Sequence, residues 1–363
     1  MTSDASNIQY PTAYNGSESV SVANGNTVPI QNYGQGLLPL PDSSRILLYV
    51  DDILITGNQP EHINKLLSDL HTQFALKQLG EINLFLGIQI NRTNSGFFLT
   101  QAHYASKLLQ ETGFMDCKPC PTPATPAGRH PQQLDEPFHD PTHYRRIAGS
   151  LQYLTITSPD IAYATNQVCQ HMQNSTNADF SQLKRILRYI KGTQSHGLPI
   201  VAGDTTLQTY ADADWAADIS DRKSISGHCT FMGSNLISWS VKKQVTVAKS
   251  STEAEYRALS AATSEIIWLR RLASELQLFQ SSPTVLHCDN ISAIAIAKNL
   301  VFHARTKHIE IDYQFIRQHI ANRSIQIQHI SSQAQIADIL TKPFVQTRFE
   351  LLRSKLTVHS PNT

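Results

Sequence analysis

The chain has 363 residues, enough for two or three domains with their own cores. Hydrophobic residues make up 40% of it and charged residues 16%, which is typical of globular proteins and excludes a fully disordered or fibrous chain. Lys and Arg number 30 against 29 acidic residues, so the net charge of +1 excludes nucleic-acid binding by bulk positive charge. Any such binding must use local basic patches.

Compartment signals are few. The five cysteines are odd in number and scattered, which favours reduced thiols in the cytosol or nucleus. No apolar run approaches the roughly 20 residues of a membrane span. No Lys, Arg or His precedes Arg45, so the basic start of a targeting signal is absent. We therefore predict a cytoplasmic or nuclear protein with no membrane partner.

The first 56 residues divide into a polar leader and an apolar hairpin. Residues 1–44 are rich in Ser, Asn, Gly, Thr and Pro without helical or strand periodicity, and we predict that they are disordered. Two apolar runs then flank Asp51 and Asp52, which predicts a hairpin with both carboxylates at its tip. An ordinary polar turn explains the two aspartates equally well.

Residues 117–143 are a proline-rich segment that predicts an extended linker. Cys117 and Cys120 precede His139 and His143 with a spacing that imitates a Cys₂His₂ zinc site. The gap between the two pairs exceeds the usual 12–15 residues, and its prolines forbid the hairpin and helix of a zinc finger. We predict no zinc site there.

An amphipathic helix is predicted between Phe180 and Lys191. Its apolar side is opposed by Lys184, Arg188 and Lys191, which form a basic face. An ordinary solvated helix and a helix that follows a phosphate backbone both fit this pattern.

From Leu207 onward the pattern predicts three successive strands, a long helix over residues 252–276, and then alternating strands and helices up to residue 340. Such an order predicts a mixed sheet with helices packed on it.

Four acidic residues stand out in this region. Asp212 and Asp289 end predicted strands, Glu255 lies one helical step before the apolar stripe of the long helix, and Asp338 lies in a late short helix. Carboxylates grouped in this way are the ligands that Mg²⁺ prefers. Asp214 shares the strand parity of Asp212, and Glu255 taken alone is better explained as an acid that favours the dipole of a first helical turn.

The motifs around these acids resemble the ribonuclease H domain of copia-type LTR retrotransposon polyproteins. They are Tyr210-Ala-Asp-Ala-Asp-Trp-Ala216, Ser250-Ser-Thr-Glu-Ala-Glu-Tyr256, Cys288-Asp-Asn290 and Ala337-Asp-Ile-Leu-Thr-Lys342. Upstream, Tyr49-Val-Asp-Asp-Ile53 resembles the active-site hairpin of the reverse transcriptase of the same family.

The resemblance implies a fold class and a set of domains. It implies an α+β palm remnant and a helical thumb/connection region, followed by an α/β ribonuclease H-like domain with a mixed five-stranded sheet flanked by helices. The expected boundaries are 45–116 for the palm, 117–143 for the linker, 144–200 for the thumb/connection, 201–345 for the ribonuclease H-like domain and 346–363 for a C-terminal tail.

Site roles are implied in the same way. Asp212, Glu255, Asp289 and Asp338 would hold two Mg²⁺ ions and cleave the RNA strand of an RNA–DNA hybrid. Asp51 and Asp52 would bind metal in the polymerase hairpin. Other proteins of the retrotransposon are candidate partners. The expected nucleic-acid contacts are Tyr49, Lys184, Arg188, Lys191, Lys242, Lys243, Ser251, Asn290, Lys307 and His308.

The expected activity is a Mg²⁺-dependent ribonuclease H joined to an incomplete RNA-directed DNA polymerase. Polymerisation needs a further aspartate, which the family carries far upstream, and only 50 residues precede Asp51. We therefore expect no reverse transcription from this chain alone. The alternative that stays open is a catalytically inert transposon remnant that at most binds nucleic acid.

Overall fold

The computed structural model describes residues 52–57, 59–73, 77, 79–126, 136–299 and 310–361, together with the backbone of short strands before residue 50. The chain divides into two compact units, Met1–Leu86 and Gly87–Thr363. The division falls inside the segment predicted as the palm. Within the described residues, no helix combines the length and the apolar character needed to cross a membrane.

The first unit contains the predicted hairpin. Its elements are β1 (Thr12–Ala13), β2 (Ser19–Ser21), β3 (Thr27–Pro29), β4 (Asn32–Tyr33), β5 (Leu38–Pro39), β6 (Arg45–Tyr49), β7 (Asp52–Thr56), α1 (Pro60–Gln73) and β8 (Leu84–Phe85). Strands β6 and β7 pair antiparallel with Tyr49 opposite Asp52, which confirms the hairpin. Asp51 and most of the leader predicted to be disordered lie outside the described residues.

The second unit opens with an antiparallel sheet and a helical region. The elements are β9 (Ile88–Arg92), β10 (Gly96–Thr100), α2 (Ala102–Thr112), α3 (Pro141–Leu154), α4 (Ala162–Gln170), α5 (Asn177–Gly192) and β11 (Gly197–Val201). Strand β10 pairs with both β9 and β11, so residues about 100 positions apart in the chain share one sheet. The sequence did not predict β11, because Pro199 interrupts a short run without alternation.

The remaining strands form the predicted mixed sheet, and helices lie between and after them in the chain. They are β12 (Leu207–Asp214), β13 (Ile225–Met232), β14 (Asn235–Lys243), α6 (Ser251–Glu275), β15 (Thr284–Cys288), α7 (Ile291–Lys298), α8 (Glu310–Ala321), β16 (Ile325–His329), a 3₁₀ helix (Ala337–Leu340) and α9 (Gln346–Lys355). The strand order is β14-β13-β12-β15-β16. The first three strands pair antiparallel, and β15 pairs parallel with both β12 and β16. The mixed five-stranded sheet is therefore confirmed.

Helices cover both faces of this sheet. One core joins Ala211 of β12 and Leu286 of β15 to α6, α7 and α8. The other core joins Phe231 of β13 to α2, α3, α4, α5 and α9. The strand periodicity of two separates the faces, since Ala211 packs in the first core and Tyr210 against the second. The segment predicted as a C-terminal tail thus contains α9, whose Phe349 and Leu352 are buried.

Candidate metal centre

The central strand of the sheet carries Asp212 into the interior. Asp212 is only 1% exposed, and it lies opposite Gly227 in the pairing of β12 with β13. The 3₁₀ helix packs against the sheet at Gly227, beside Asp212. A Cβ added at Gly227 would lie 2.7 Å from Leu340 Cβ and 2.8 Å from Thr341 Cγ2. Glycine at 227 therefore permits the close approach that delivers Asp338, Thr341 and Lys342 to Asp212.

Asp338 and Asp212 share one ammonium group. Lys342 Nζ lies 2.9 Å from Asp338 Oδ1 and 3.4 Å from each carboxylate oxygen of Asp212. The Thr341 hydroxyl donates a hydrogen bond to Asp212 Oδ2, and Arg348 Nη2 lies 3.5 Å from Asp338 Oδ2. Sequence reasoning missed Lys342, although its spacing of four residues from Asp338 was a usable signal for an ion pair.

Glu255 enters the site from the first turns of α6. The Ser250 hydroxyl accepts the Glu253 N–H and begins the helix. Glu255 is 6% exposed, as the phase of the apolar stripe predicts, and its Oε2 atom is buried without a hydrogen-bond partner. Glu253, two residues earlier in the same helix, instead pairs with Arg257 at 2.7 Å and accepts the Lys249 N–H.

Asp289 follows β15 at the edge where β15 runs parallel to β12. The carboxyl ends of these two strands therefore lie side by side. Asp289 is half-buried, and its Oδ2 accepts a hydrogen bond from the Ser332 hydroxyl at 2.7 Å. Ligand atoms of Glu255, Cys288 and Asp289 all lie within 4.8 Å of one another.

Electrostatic coupling ties the four acids together. Burial raises the pKa of Asp212 to about 6; Lys342 opposes the shift, while Asp338 and Asp289 add to it. Burial also raises the pKa of Glu255 to about 9, and the charges of Asp212 and Asp289 add to that shift. Burial opposes the charge of Lys342, but Asp212 and Asp338 outweigh it and raise the pKa of this ammonium.

This donor set fits a hard divalent cation. Carboxylate oxygens are the preferred ligands of Mg²⁺, and neighbouring acids with raised pKa values are those that a cation would stabilise most in the ionised form. The partnerless Glu255 Oε2 is a buried acceptor that such an ion would satisfy. Burial also raises the pKa of Asp214, against the charge of Lys342 and with that of Asp338, so Asp214 feels the charges of the same centre.

The residues predicted to contact nucleic acid are dispersed. Lys184 Nζ lies 5.2 Å from the Phe180 ring centroid, and Arg188 Nε donates to the Lys118 carbonyl at 2.9 Å. Lys191 is half-buried at the end of α5. The ammonium of Lys243 is held by Asp218 at 2.6 Å and by Asp221 at 2.9 Å.

Other members of that set lie nearer the four acids in sequence. Lys242 and Ser251 are exposed, and the Asn290 side chain caps α7 by accepting the Ala293 N–H. The backbones of Tyr49 and Asp52 lie in the hairpin of the first unit. Lys307, His308 and Asp51 lie outside the described residues.

Comparisons with known proteins place the chain in a family. Residues 41–126 match the family model "Reverse transcriptase (RNA-dependent DNA polymerase)". The chain is 44% identical over 314 residues to the retrovirus-related Pol polyprotein from transposon RE1 of Arabidopsis thaliana, which covers 86% of the chain. It is 49% identical over 224 residues to an uncharacterized mitochondrial protein of the same plant, and this match covers 61% of the chain and 93% of that protein. The chain belongs to the copia-type, retrovirus-related Pol polyprotein family.

This Pol-family chain spans only about a fifth of its long relatives, 21% of the RE1 polyprotein and 22% of the RE2 polyprotein. Among solved structures it is similar to the N-terminal ribonuclease H domain of a Mycobacterium tuberculosis protein. That similarity has a TM-score of 0.29 and 13% identity, and it covers 42% of the Pol-family chain and 98% of the solved chain.

Proposed function

We propose that this chain is a Mg²⁺-dependent ribonuclease H that cleaves the RNA strand of an RNA–DNA hybrid, joined to a reverse-transcriptase-related segment. The observation that carries the proposal is the convergence of Asp212, Glu255 and Asp338, from three separate elements, with Asp289 directly after β15. Membership in the Pol polyprotein family supports a nucleic-acid substrate. Hydrolysis of a phosphodiester is the chemistry that a cluster of acids around divalent cations serves best.

In the proposed mechanism the four acids would hold two Mg²⁺ ions. Bound Mg²⁺ would supply an activated water and neutralise the charge that develops on the phosphate in the transition state. Asp212 would be the central ligand, because its charge acts on Glu255 and it feels the charges of Asp338 and Asp289. Ser332 orients Asp289, and Thr341 orients Asp212. These hydroxyls limit rotation of the carboxylates and so preserve their positions between turnovers.

Lys342 and Arg348 have a separate role in the proposed cycle. Lys342 pairs with both Asp212 and Asp338 and so offsets part of their negative charge. Both basic side chains are partly exposed, 33% for Lys342 and 22% for Arg348, and so they reach the mouth of the site. There they would attract the phosphates of the substrate.

The domain roles of the remainder are also part of the proposal. Residues 45–116 correspond to a truncated palm, 144–200 to a thumb/connection region and 201–345 to the nuclease. Lys184, Arg188 and Lys191 on α5 would follow the backbone of the hybrid, as would Lys242 on the edge strand β14. Ser251 lies four residues before Glu255 and Asn290 directly follows Asp289. Both would contact the RNA strand at its 2′-hydroxyl groups.

The test is cleavage of an RNA–DNA hybrid labelled on its RNA strand. We expect Mg²⁺-dependent cleavage by the purified chain, and a loss of roughly 100-fold or more in Glu255→Gln, because that change removes a charged ligand. Glu275→Gln is the matched control, since Glu275 is an exposed residue at the far end of the same helix. Equal cleavage by both variants would refute the assignment. A well-folded chain without cleavage would favour the inert remnant.

A further inference from the structure

A cysteine lies inside the candidate metal centre. Cys288 ends β15 and is fully buried, and its side chain packs in the core shared with α6. Its sulfur belongs to the group of three ligand atoms, with one each from Glu255 and Asp289, that lie within 4.8 Å of one another. Mg²⁺ has little affinity for sulfur, so the proposed nuclease does not account for this thiol.

Two features of this corner favour a ligand. Glu255 is more than nine-tenths buried, and its Oε2 atom has no hydrogen-bond partner. This oxygen has therefore lost its contact with water without gaining a hydrogen bond in return. The Cys288 sulfur accepts the Asn290 N–H at 3.4 Å, and Ser332 holds Asp289 at 2.7 Å. Two of the three donors are therefore held in place by neighbouring groups before any ion binds.

We propose that Cys288, Glu255 and Asp289 form a mixed sulfur–oxygen site for a soft divalent cation of the zinc and cadmium class. Tetrahedral zinc ligands at ordinary bond lengths are about 3.5 Å apart. The separations of the three donors, at most 4.8 Å, therefore need to shorten by up to about 1.3 Å. On binding, the Cys288 thiol releases its proton to the buffer and the sulfur bonds to the metal. One thiolate and two carboxylates then surround the divalent cation.

This site shares Glu255 and Asp289 with the proposed magnesium site. A soft cation bound there excludes Mg²⁺ from those two ligands, so zinc is expected to inhibit cleavage even when Mg²⁺ is present in large excess. That inhibition rests on the proposed function. The cation site itself does not, because it is defined by three donors and can be measured without any substrate.

The experiment is a titration of the reduced, metal-free full chain with cadmium chloride, followed by the ultraviolet sulfur-to-cadmium charge-transfer absorption. We expect a band that saturates with one ion per chain and is lost in Cys288→Ser. Cys229→Ser is the matched control, because Cys229 is equally buried on neighbouring β13. The Cys229→Ser protein should keep the band of the wild type. Equal bands in the wild type and Cys288→Ser would overturn the proposal.

A second variant covers the case in which Cys288→Ser does not fold. Glu255→Gln keeps the thiol and removes a charged donor, so we expect its cadmium affinity to fall at least tenfold. An unchanged affinity would overturn the site. Failure of the proposed nuclease is distinguishable, because absent Mg²⁺-dependent cleavage leaves the cadmium band in place. Absence of the band from the wild-type chain, with its Mg²⁺-dependent cleavage intact, would overturn the soft-metal site alone.

Discussion

At the scale of single residues, the candidate centre sets buried carboxylates against two partly exposed cations, Lys342 and Arg348. Asp212 is almost fully buried, and isolated burial of a carboxylate costs several kcal/mol. Lys342 forms ion pairs with Asp212 and Asp338, whereas Glu255 has no ion pair among the described residues and feels Lys342 only as a weaker, opposing charge, so its pKa rises further. Among the four acids, Glu255 is therefore the one whose ionisation is most strongly disfavoured by burial and by its like-charged neighbours.

A pH dependence of stability follows from Glu255. Its pKa rises from an ordinary 4.5 to about 9, so the folded state binds this proton more tightly than the unfolded state. The stability that the bound proton on Glu255 contributes is complete below the ordinary pKa of 4.5, and it is lost as the pH rises through about 9. We expect the unfolding free energy, measured by urea titration in a chelator, to fall between about pH 5 and about pH 8.5.

The variant Glu255→Gln should flatten this dependence by at least about 1 kcal/mol, the equivalent of one pKa unit. Glu275→Gln should keep the slope of the wild type, because its carboxylate is exposed. If the wild type and Glu255→Gln show the same slope, Glu255 is not the buried, protonated group that the structure indicates.

Sequence periodicity could identify some of these residues and not others. Glu255 was predicted to be buried because one helical step connects it to Leu259 of the apolar stripe, and burial follows directly from that phase. Lys342 and the Cys288 thiol were missed as members of the centre. Their role depends on which elements meet in space, and the strand pattern of residues 284–288 is equally compatible with a purely structural cysteine.

At the scale of elements, the junction between the 3₁₀ helix and β13 decides whether Asp338 reaches Asp212. A methyl group at residue 227 would collide with Leu340 and Thr341 at distances below 3 Å. Gly227→Ala is therefore expected to destabilise the fold by about 1–3 kcal/mol and to weaken cation binding, because the 3₁₀ helix must move away.

Gly203→Ala is the matched control for this prediction, since a Cβ there meets nothing within 4 Å. Urea unfolding of both variants gives the comparison. Equal stability of the two variants would show that the 3₁₀ helix does not press on β13 as described.

The sequence predicted most elements of the mixed sheet, because alternation in β12 and a stripe in α6 are strong local signals. It did not predict β11, whose pairing with β10 is a long-range contact. It also assigned residues 346–363 to a tail, although Phe349, Leu352 and Leu356 have the spacing of a packed helix face.

At the scale of the whole second unit, the helical region and the mixed sheet share one core. Arg353 of α9 donates to the Tyr189 hydroxyl at 3.1 Å, and Tyr189 donates to the buried carboxylate of Asp160. Trp239 of β14 donates to the Thr155 carbonyl at 3.2 Å. The predicted thumb/connection and nuclease segments therefore pack as one body, and α5 has a fixed position relative to the four acids.

The most direct test of the account is cation binding at the four acids. Mn²⁺ serves as an analogue of Mg²⁺, and its free fraction is followed by electron paramagnetic resonance. We expect saturable binding that Mg²⁺ displaces, with affinity at least tenfold weaker in Asp212→Asn, because metal sites depend strongly on their charged ligands. Asp116→Asn, at an exposed loop position, should bind as the wild type does. No saturable binding, or equal affinity in Asp212→Asn, would contradict a metal centre at these residues.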